Sequence, residues 1–427
     1  MTNTAHSCVL VSCPLTNQVQ IAKLTNTGDL KHITTISVSK PGPTTVQERA
    51  SGTCTLFISE TIDAEHHYCA VYQIAKVNSR SQSDQCDDIL EVKLEGKIRM
   101  AGKPTYFKVI NNVLLCALYH EGQLTSTLLS ETGLALDGDI TDRMEDLEGC
   151  HCAEEIPDHI NETSFGDLIL CAALKRNVMA IVKVTGKGRL IKLEEIPAAG
   201  EGPRHIVFDP VLPRAYVLNE LDSHLYTYRV ELSGLHTDVG RTDVGRTDVG
   251  RTDVGQMDRE HTADAKQETS MERQTDAVRP LGGAISLMSS IDTLSPEFCG
   301  TRWAADLHLW SSTIGDTAAG STRWIYTCDR TANEITVMMA KDQGLPVKVG
   351  AFRTEEQPRG FNIIPVGNDR HYLLVVGQKS HHASVYEIAS QQPRLLSRQL
   401  VSPAGNDSAG NDSAWEGAMW VEYFSIN

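Results

Sequence analysis

Four short motifs place a cationic side chain at matching positions along the chain: Gly149-Cys150-His151, Gly202-Pro203-Arg204-His205, Thr301-Arg302-Trp303 and Gln357-Pro358-Arg359-Gly360. Guanidinium groups fork onto carboxylate or phosphate oxygens, and imidazole exchanges protons near neutral pH. The chain as a whole is acidic, with 39 Lys and Arg against 55 Asp and Glu and a formal charge of -16. A recurring cation in such a background reads as a local pocket for an anion, able to overcome the repulsion of the whole-molecule field. The competing reading is structural, each arginine tying one repeat to the backbone carbonyls of the next.

Two groups could serve as a base toward water, His151 and Glu220, the latter closing the apolar run RAYVL in Asn219-Glu220-Leu221. A carboxylate beside arginines stays ionised. Both remain open as the base. Direct hydrolysis of an ester would then need an oxyanion donor, for which Arg204 and Arg302 are the candidates. His205, Asp306, Arg359, Lys379, His381 and Tyr119 are candidate substrate contacts, with Lys379 and His381 drawn from the run Gln378-Lys379-Ser380-His381-His382. Asp306 and the pair Asp329-Arg330 carry less weight, because Asp commonly caps turns. Trp303, Trp324 and Trp420 are read as packing. No GxSxG elbow, Walker loop or dinucleotide fingerprint is present, which disfavours covalent serine chemistry and nucleotide binding.

Neither a metal nor a cofactor is expected. Cys150-His151-Cys152 is the nearest thing to a metal cluster, but adjacent residues on a strand face opposite ways and could not readily chelate one ion. The 11 cysteines lack CxxC pairing and suit reduced thiols packed as small apolar groups. The acidic balance argues against nucleic acid or an anionic membrane as partner. No run approaches the roughly 18 apolar residues of a spanning helix, and the opening residues carry no basic leader. The expectation is a cytoplasmic monomer acting on a small molecule.

The elements that must position these residues recur with a period of about 50 residues, as short apolar runs separated by Gly, Asn, Asp or Pro turns. HIVFDP, RAYVLNEL and HLYTYRVEL form one unit; GFNIIP, HYLLVVGQ and ASVYEI form another. Runs this short and rich in Val, Ile, Leu and Tyr are strands. Four strands per unit mark propeller blades. Three weaker units precede the four openers: CVLVSC with QVQIAKL, CTLFISE with YCAVYQIA, and YFKVI with VLLCALYH. The fold class is therefore all-β, a single seven-bladed β-propeller over 1–427, with the C-terminal MWVEYF supplying the innermost strand of the first blade. Perfect TDVGR copies and the polar stretch after them, about 237–279, cannot build a core and are read as a disordered insertion. The tandem AGNDS copies at about 403–413 are read the same way.

The strings GCH, GEGPRHIVFDP, YVLNELDS, TRWAADLH, CDRTANEITV, QPRGFN and GQKSHHASVYEI closely resemble the 6-phosphogluconolactonases of the propeller lactonase family, in their enterobacterial form. The likeness spans about residue 100 to the C-terminus. It implies hydrolysis of 6-phospho-D-glucono-1,5-lactone to 6-phosphogluconate in the pentose phosphate pathway, without a metal. The family also includes fungal carboxy-muconate lactonizing isomerases. A His, two Arg and a Glu shared by both branches fall here on His151, Arg204, Arg302 and Glu220. The chain departs from the family pattern at Lys103-Pro104-Thr105-Tyr106 and Leu118-Tyr119-His120, and it carries an insertion at Asn78 to Asp88. The third class of reading is a non-catalytic scaffold, since a propeller by itself specifies no function.

Overall fold

LILCAA is apolar throughout rather than alternating, and CTLFISET holds the apolar run Leu56-Phe57-Ile58, as expected of strands covered on both faces. The computed structural model describes residues 6–49, 52–77, 89–162, 166–235, 283–312, 322–366, 370–388, 393–399 and 417–426. The two low-complexity segments and the insertion at 78–88 lie outside these residues. The described strands form seven four-stranded antiparallel sheets, and no α-helix occurs among the described residues. Cys54–Thr61 and Leu168–Ala173 are second strands of their blades and are buried along their whole length.

The innermost strands, in blade order, are Trp420–Ile426, Thr44–Glu48, Tyr106–Ile110, Cys150–Glu155, Pro203–Phe208, Ala304–Ser312 and Pro358–Val366. Each packs against its neighbours on both sides, so the ring closes. The C-terminal strand pairs antiparallel with His6–Cys13, with Leu10 opposite Glu422. Closure therefore joins the two ends of the chain in one sheet, as the sequence predicts, and covers edges that would otherwise be open.

The apolar core is divided. Seven separate clusters of buried residues each lie between two adjacent blades. Cysteines contribute as small apolar groups: every described cysteine except Cys299 is buried, and all are free thiols. Cys150 belongs to the cluster between the third and fourth blades and Cys152 to the one between the fourth and fifth. His151, between them in sequence, faces neither cluster. Among the described residues no group of three or more His, Cys, Asp or Glu is placed to hold a metal ion.

A local irregularity sets the direction of the opener residues. The pairing register shifts between Cys150 and Cys152, between Pro203 and His205, and between Pro358 and Gly360. The extra residue of each bulge is His151, Arg204 or Arg359. A bulge re-aims a side chain out of the regular alternation, and here three such residues turn toward one mouth of the channel.

Candidate active site

That mouth encloses a cavity of about 310 Å³, lined among others by Lys103, Tyr119, His151, Arg204, Glu220, Trp303, Arg330 and Arg359. Four cationic side chains there face one carboxylate. A second cavity, of about 470 Å³, lies along the channel and is lined by Glu154, Glu155, Asp306 and Glu422 together with His205 and His308. Its carboxylates would repel an anion, so the first cavity is the candidate site.

Glu220 follows the second strand of the fifth blade, and its backbone is fixed between blades: its N–H donates to Gly202 at 2.7 Å and its carbonyl accepts from Ala304 at 3.1 Å. Its carboxylate is occupied as well. Arg204 Nε donates to Oε2 at 2.7 Å, Arg330 Nη2 approaches the same oxygen at 3.1 Å, and Trp303 Nε1 donates to Oε1 at 3.0 Å. Burial alone would raise this carboxyl, but Arg204, Arg330 and the Trp303 donor outweigh it and hold Glu220 below the usual carboxylate range. A group so engaged is an anchor for two guanidiniums rather than a free base.

His151 is placed differently. The residue is 6% exposed, and Nδ1 is buried with no hydrogen-bond partner among the described residues. Its Nε2 has no partner among the described residues either and is not enclosed, so it reaches the cavity. Burial, reinforced by Arg204, His205, Arg359 and Arg330, holds this imidazole well below its ordinary value and therefore neutral. A neutral ring with one nitrogen open to the cavity is a competent acceptor for a proton from water.

Arg330 lies 3.8 Å over the Trp303 ring and donates through Nε and Nη2 to the carbonyls of Trp303 and Ala304 at 3.3 and 3.1 Å. Burial and the neighbouring Arg204 bring Arg330 down to about 9 and Arg359 to about 10, so both stay cationic at neutral pH. Arg359 makes no ion pair among the described residues and is the freest of the guanidiniums. Tyr119 stands edge-on to His151 at 6.1 Å, with Lys175 Nζ 4.4 Å above its ring.

Of the residues expected from sequence, His151, Arg204, Glu220, Arg359 and Tyr119 share the cavity. Arg302 does not. Its Nη1 and Nη2 close on the Asp292 carboxylate at 2.7 and 2.8 Å, and Nη1 also donates to the Asp222 carbonyl, so it ties two loops together. The sixth inner strand begins at Ala304, and its register shift falls between Ala304 and Leu307, which leaves Arg302 ahead of the bulge. His205 and Asp306 pair with each other at 2.8 Å and line the second cavity. Lys379 is exposed and lines neither cavity; His381 accepts from the Gly417 N–H at 3.4 Å and lines neither.

Sequence reasoning gives Arg330 little weight, reads Trp303 as packing and does not single out Lys103 as a site residue. Arg330 follows the second strand of its blade just as Glu220 does, and this shared offset was the available signal. Its neighbour Asp329 does cap a turn, accepting from the Thr331 and Ala332 N–H groups at 2.9 Å. Trp303 was read as packing because a tryptophan N–H gives no sign in sequence of what it will find.

Seven blades converge several guanidiniums and a neutral histidine on one cavity at the mouth of a propeller. The chain belongs to the lactonase family of seven-bladed β-propellers, whose pattern it matches over residues 8–246 and 267–406. It is 31% identical over 309 residues to the 6-phosphogluconolactonase of Cronobacter sakazakii, covering 71% of this chain and 72% of that one. Among solved structures, a Lactobacillus plantarum protein superposes with a TM-score of 0.67 at 15% identity, covering 98% and 99% of the two chains. The periplasmic gluconolactonase PpgL of Pseudomonas aeruginosa superposes with a TM-score of 0.66 at 15% identity, covering 99% and 100%. At such identities these two show the shared fold.

Proposed function

We propose that the chain hydrolyses 6-phospho-D-glucono-1,5-lactone to 6-phosphogluconate, a step of the pentose phosphate pathway, as a cytoplasmic monomer. The observation that carries this reading is the neutral, cavity-facing Nε2 of His151 among the guanidiniums of Arg204, Arg330 and Arg359. His151 Nε2 takes a proton from water as the water oxygen bonds to the lactone carbonyl carbon. The charge that develops on the carbonyl oxygen is met by guanidinium N–H groups, each such donor being worth about 3 to 4 kcal/mol of barrier. Collapse of the tetrahedral species breaks the ring C–O bond, and the departing oxygen takes the proton back from His151. Glu220 holds Arg204 and Arg330 in place throughout. Lys103 at the rim, with Arg359, meets the phosphate.

An assay coupled to oxidation of 6-phosphogluconate tests this reading, run beside the unphosphorylated lactone and a carboxylated muconate. Turnover of the phosphorylated lactone with a clear preference over the other two is expected. Preference for the muconate would move the chain to the isomerase branch, and inertness toward all three would favour the scaffold.

A further inference from the structure

Behind His151, toward the second cavity, stands a pair of side chains that the hydrolysis just described does not use. His205 Nδ1 lies 2.8 Å from Asp306 Oδ1. Asp306 is a firmly held acceptor: Oδ1 also takes the Leu307 N–H at 2.9 Å, and Oδ2 takes the Phe361 N–H at 3.2 Å and faces His308 Nε2 at 3.4 Å. An ionised carboxylate can only accept, so His205 carries its proton on Nδ1 and presents a lone pair at Nε2. That Nε2 is buried and has no partner among the described residues. The His151 ring stands 5.3 Å away, centroid to centroid, with its own Nδ1 buried and unpartnered. Arg204 Nη1, a donor only, is a third enclosed atom without a partner. Three orphaned polar atoms around two adjoining imidazoles would cost stability unless they satisfy one another or share a bridging water.

We propose that Asp306 and His205 are positioning residues for the base: Asp306 fixes His205 as the Nδ1–H tautomer, and His205 Nε2 accepts, directly or through one enclosed water, from His151 Nδ1–H. His151 Nε2 is thereby left unprotonated toward the cavity. This rests on the reading of His151 as the base. The charged and titratable groups around the pair are Arg204, Arg330, Arg359 and Tyr119 beside His151, with Tyr106, Asp306 and His308 beside or behind His205. Burial and Arg204 outweigh Asp306 and keep His205 below its ordinary value, so it too is neutral and its Nε2 remains an acceptor. A buried acid orienting an imidazole is a known device for choosing the tautomer.

The test is long-range ¹⁵N–¹H spectroscopy of the full chain labelled at histidine, with His151 and His205 assigned by substitution, beside kinetics on the phosphorylated lactone. In the wild type, His151 is expected as Nδ1–H with Nε2 bare. Asp306→Asn, whose amide can donate to His205 Nδ1, should turn His205 Nε2 into a donor, drive His151 to the Nε2–H form and lower kcat roughly hundredfold with little change in KM. His205→Leu should lose kcat similarly, whereas His205→Gln, whose side-chain oxygen can still accept, should keep the His151 tautomer and lose less than about fivefold. His151 found as Nε2–H in the wild type overturns the proposal. So does a folded Asp306→Asn protein with the wild-type tautomer and kcat. A wild type showing the expected tautomers without lactone turnover would instead sink the lactonase reading and leave the hydrogen-bond assignment standing.

Discussion

At the residue scale, the proposed hydrolysis makes His151 the group whose protonation decides activity. Burial and the surrounding cations push its proton affinity down, so the neutral, reactive form persists into mild acid. The expected kcat/KM profile is flat from about pH 8 to about pH 6, with no step at the ordinary histidine value of about 6.5. A titration near 6.5 in the free enzyme would show that His151 is not the base. The same shift has a sign for stability. A histidine whose folded value lies below its unfolded one contributes stability above the unfolded value and loses it as pH falls, and the depressed Glu220 carboxyl acts in the same direction at lower pH. Acid should therefore destabilise the site on both counts. The arginines separate by what they touch. Arg330→Ala should reduce kcat/KM by roughly two orders of magnitude, as removal of a charge-stabilising donor does elsewhere. Arg302→Ala, which frees Asp292 outside the cavity, should stay within about tenfold of wild type in the same assay. The reverse ranking would restore Arg302 to the place its motif suggested.

At the scale of the element, the legible and illegible parts of the site divide along the bulges. Openers GCH, GPRH and QPRG place His151, Arg204 and Arg359 on matching extra residues of three inner strands, so a cation at a repeat position was a sound signal. TRW matched the same pattern by residue type but not by strand start, since its strand opens at Ala304. A motif aligned on arginine cannot reveal a frame that the hydrogen-bond ladder sets. Asp306 and His205 stand near openers in the same way, yet His205, the residue after its bulge, and Asp306, inside the irregularity of its own strand, both line the second cavity. Gly149 shows how tightly the frame is held. Its φ of +76° is left-handed, and a Cβ there would meet the Lys175 backbone nitrogen at 2.5 Å. Gly149→Ala adds about 1–2 kcal/mol of backbone strain before any clash. It should lower the thermal midpoint and depress kcat by displacing His151; a variant with wild-type midpoint and kcat would remove the glycine from the account.

At the scale of the whole molecule, the seven-blade ring was readable because each blade repeats the same apolar runs and the C-terminal run had no partner left except the first blade. The inter-blade clusters explain why closure matters. Val421 and Phe424 of the closing strand are buried, and such side chains contribute roughly 1.5–3 kcal/mol each. Ending the chain before Met419 would remove them and expose the paired edge of His6–Cys13, so the truncated protein should unfold at a distinctly lower temperature or collect in the insoluble fraction, as circular dichroism and solubility would show. A truncated chain with the wild-type midpoint would contradict ring closure as a source of stability. The ring also concentrates cations at one mouth of a protein with a formal charge of -16, which no local stretch of sequence displays. The most direct test of the account is steady-state turnover of 6-phospho-D-glucono-1,5-lactone by wild type and His151→Asn, with spontaneous hydrolysis subtracted. The prediction is efficient wild-type turnover and a loss of roughly a hundredfold or more in a folded variant, the range a general base supplies. Equal turnover by the two proteins, or none by either, would contradict it.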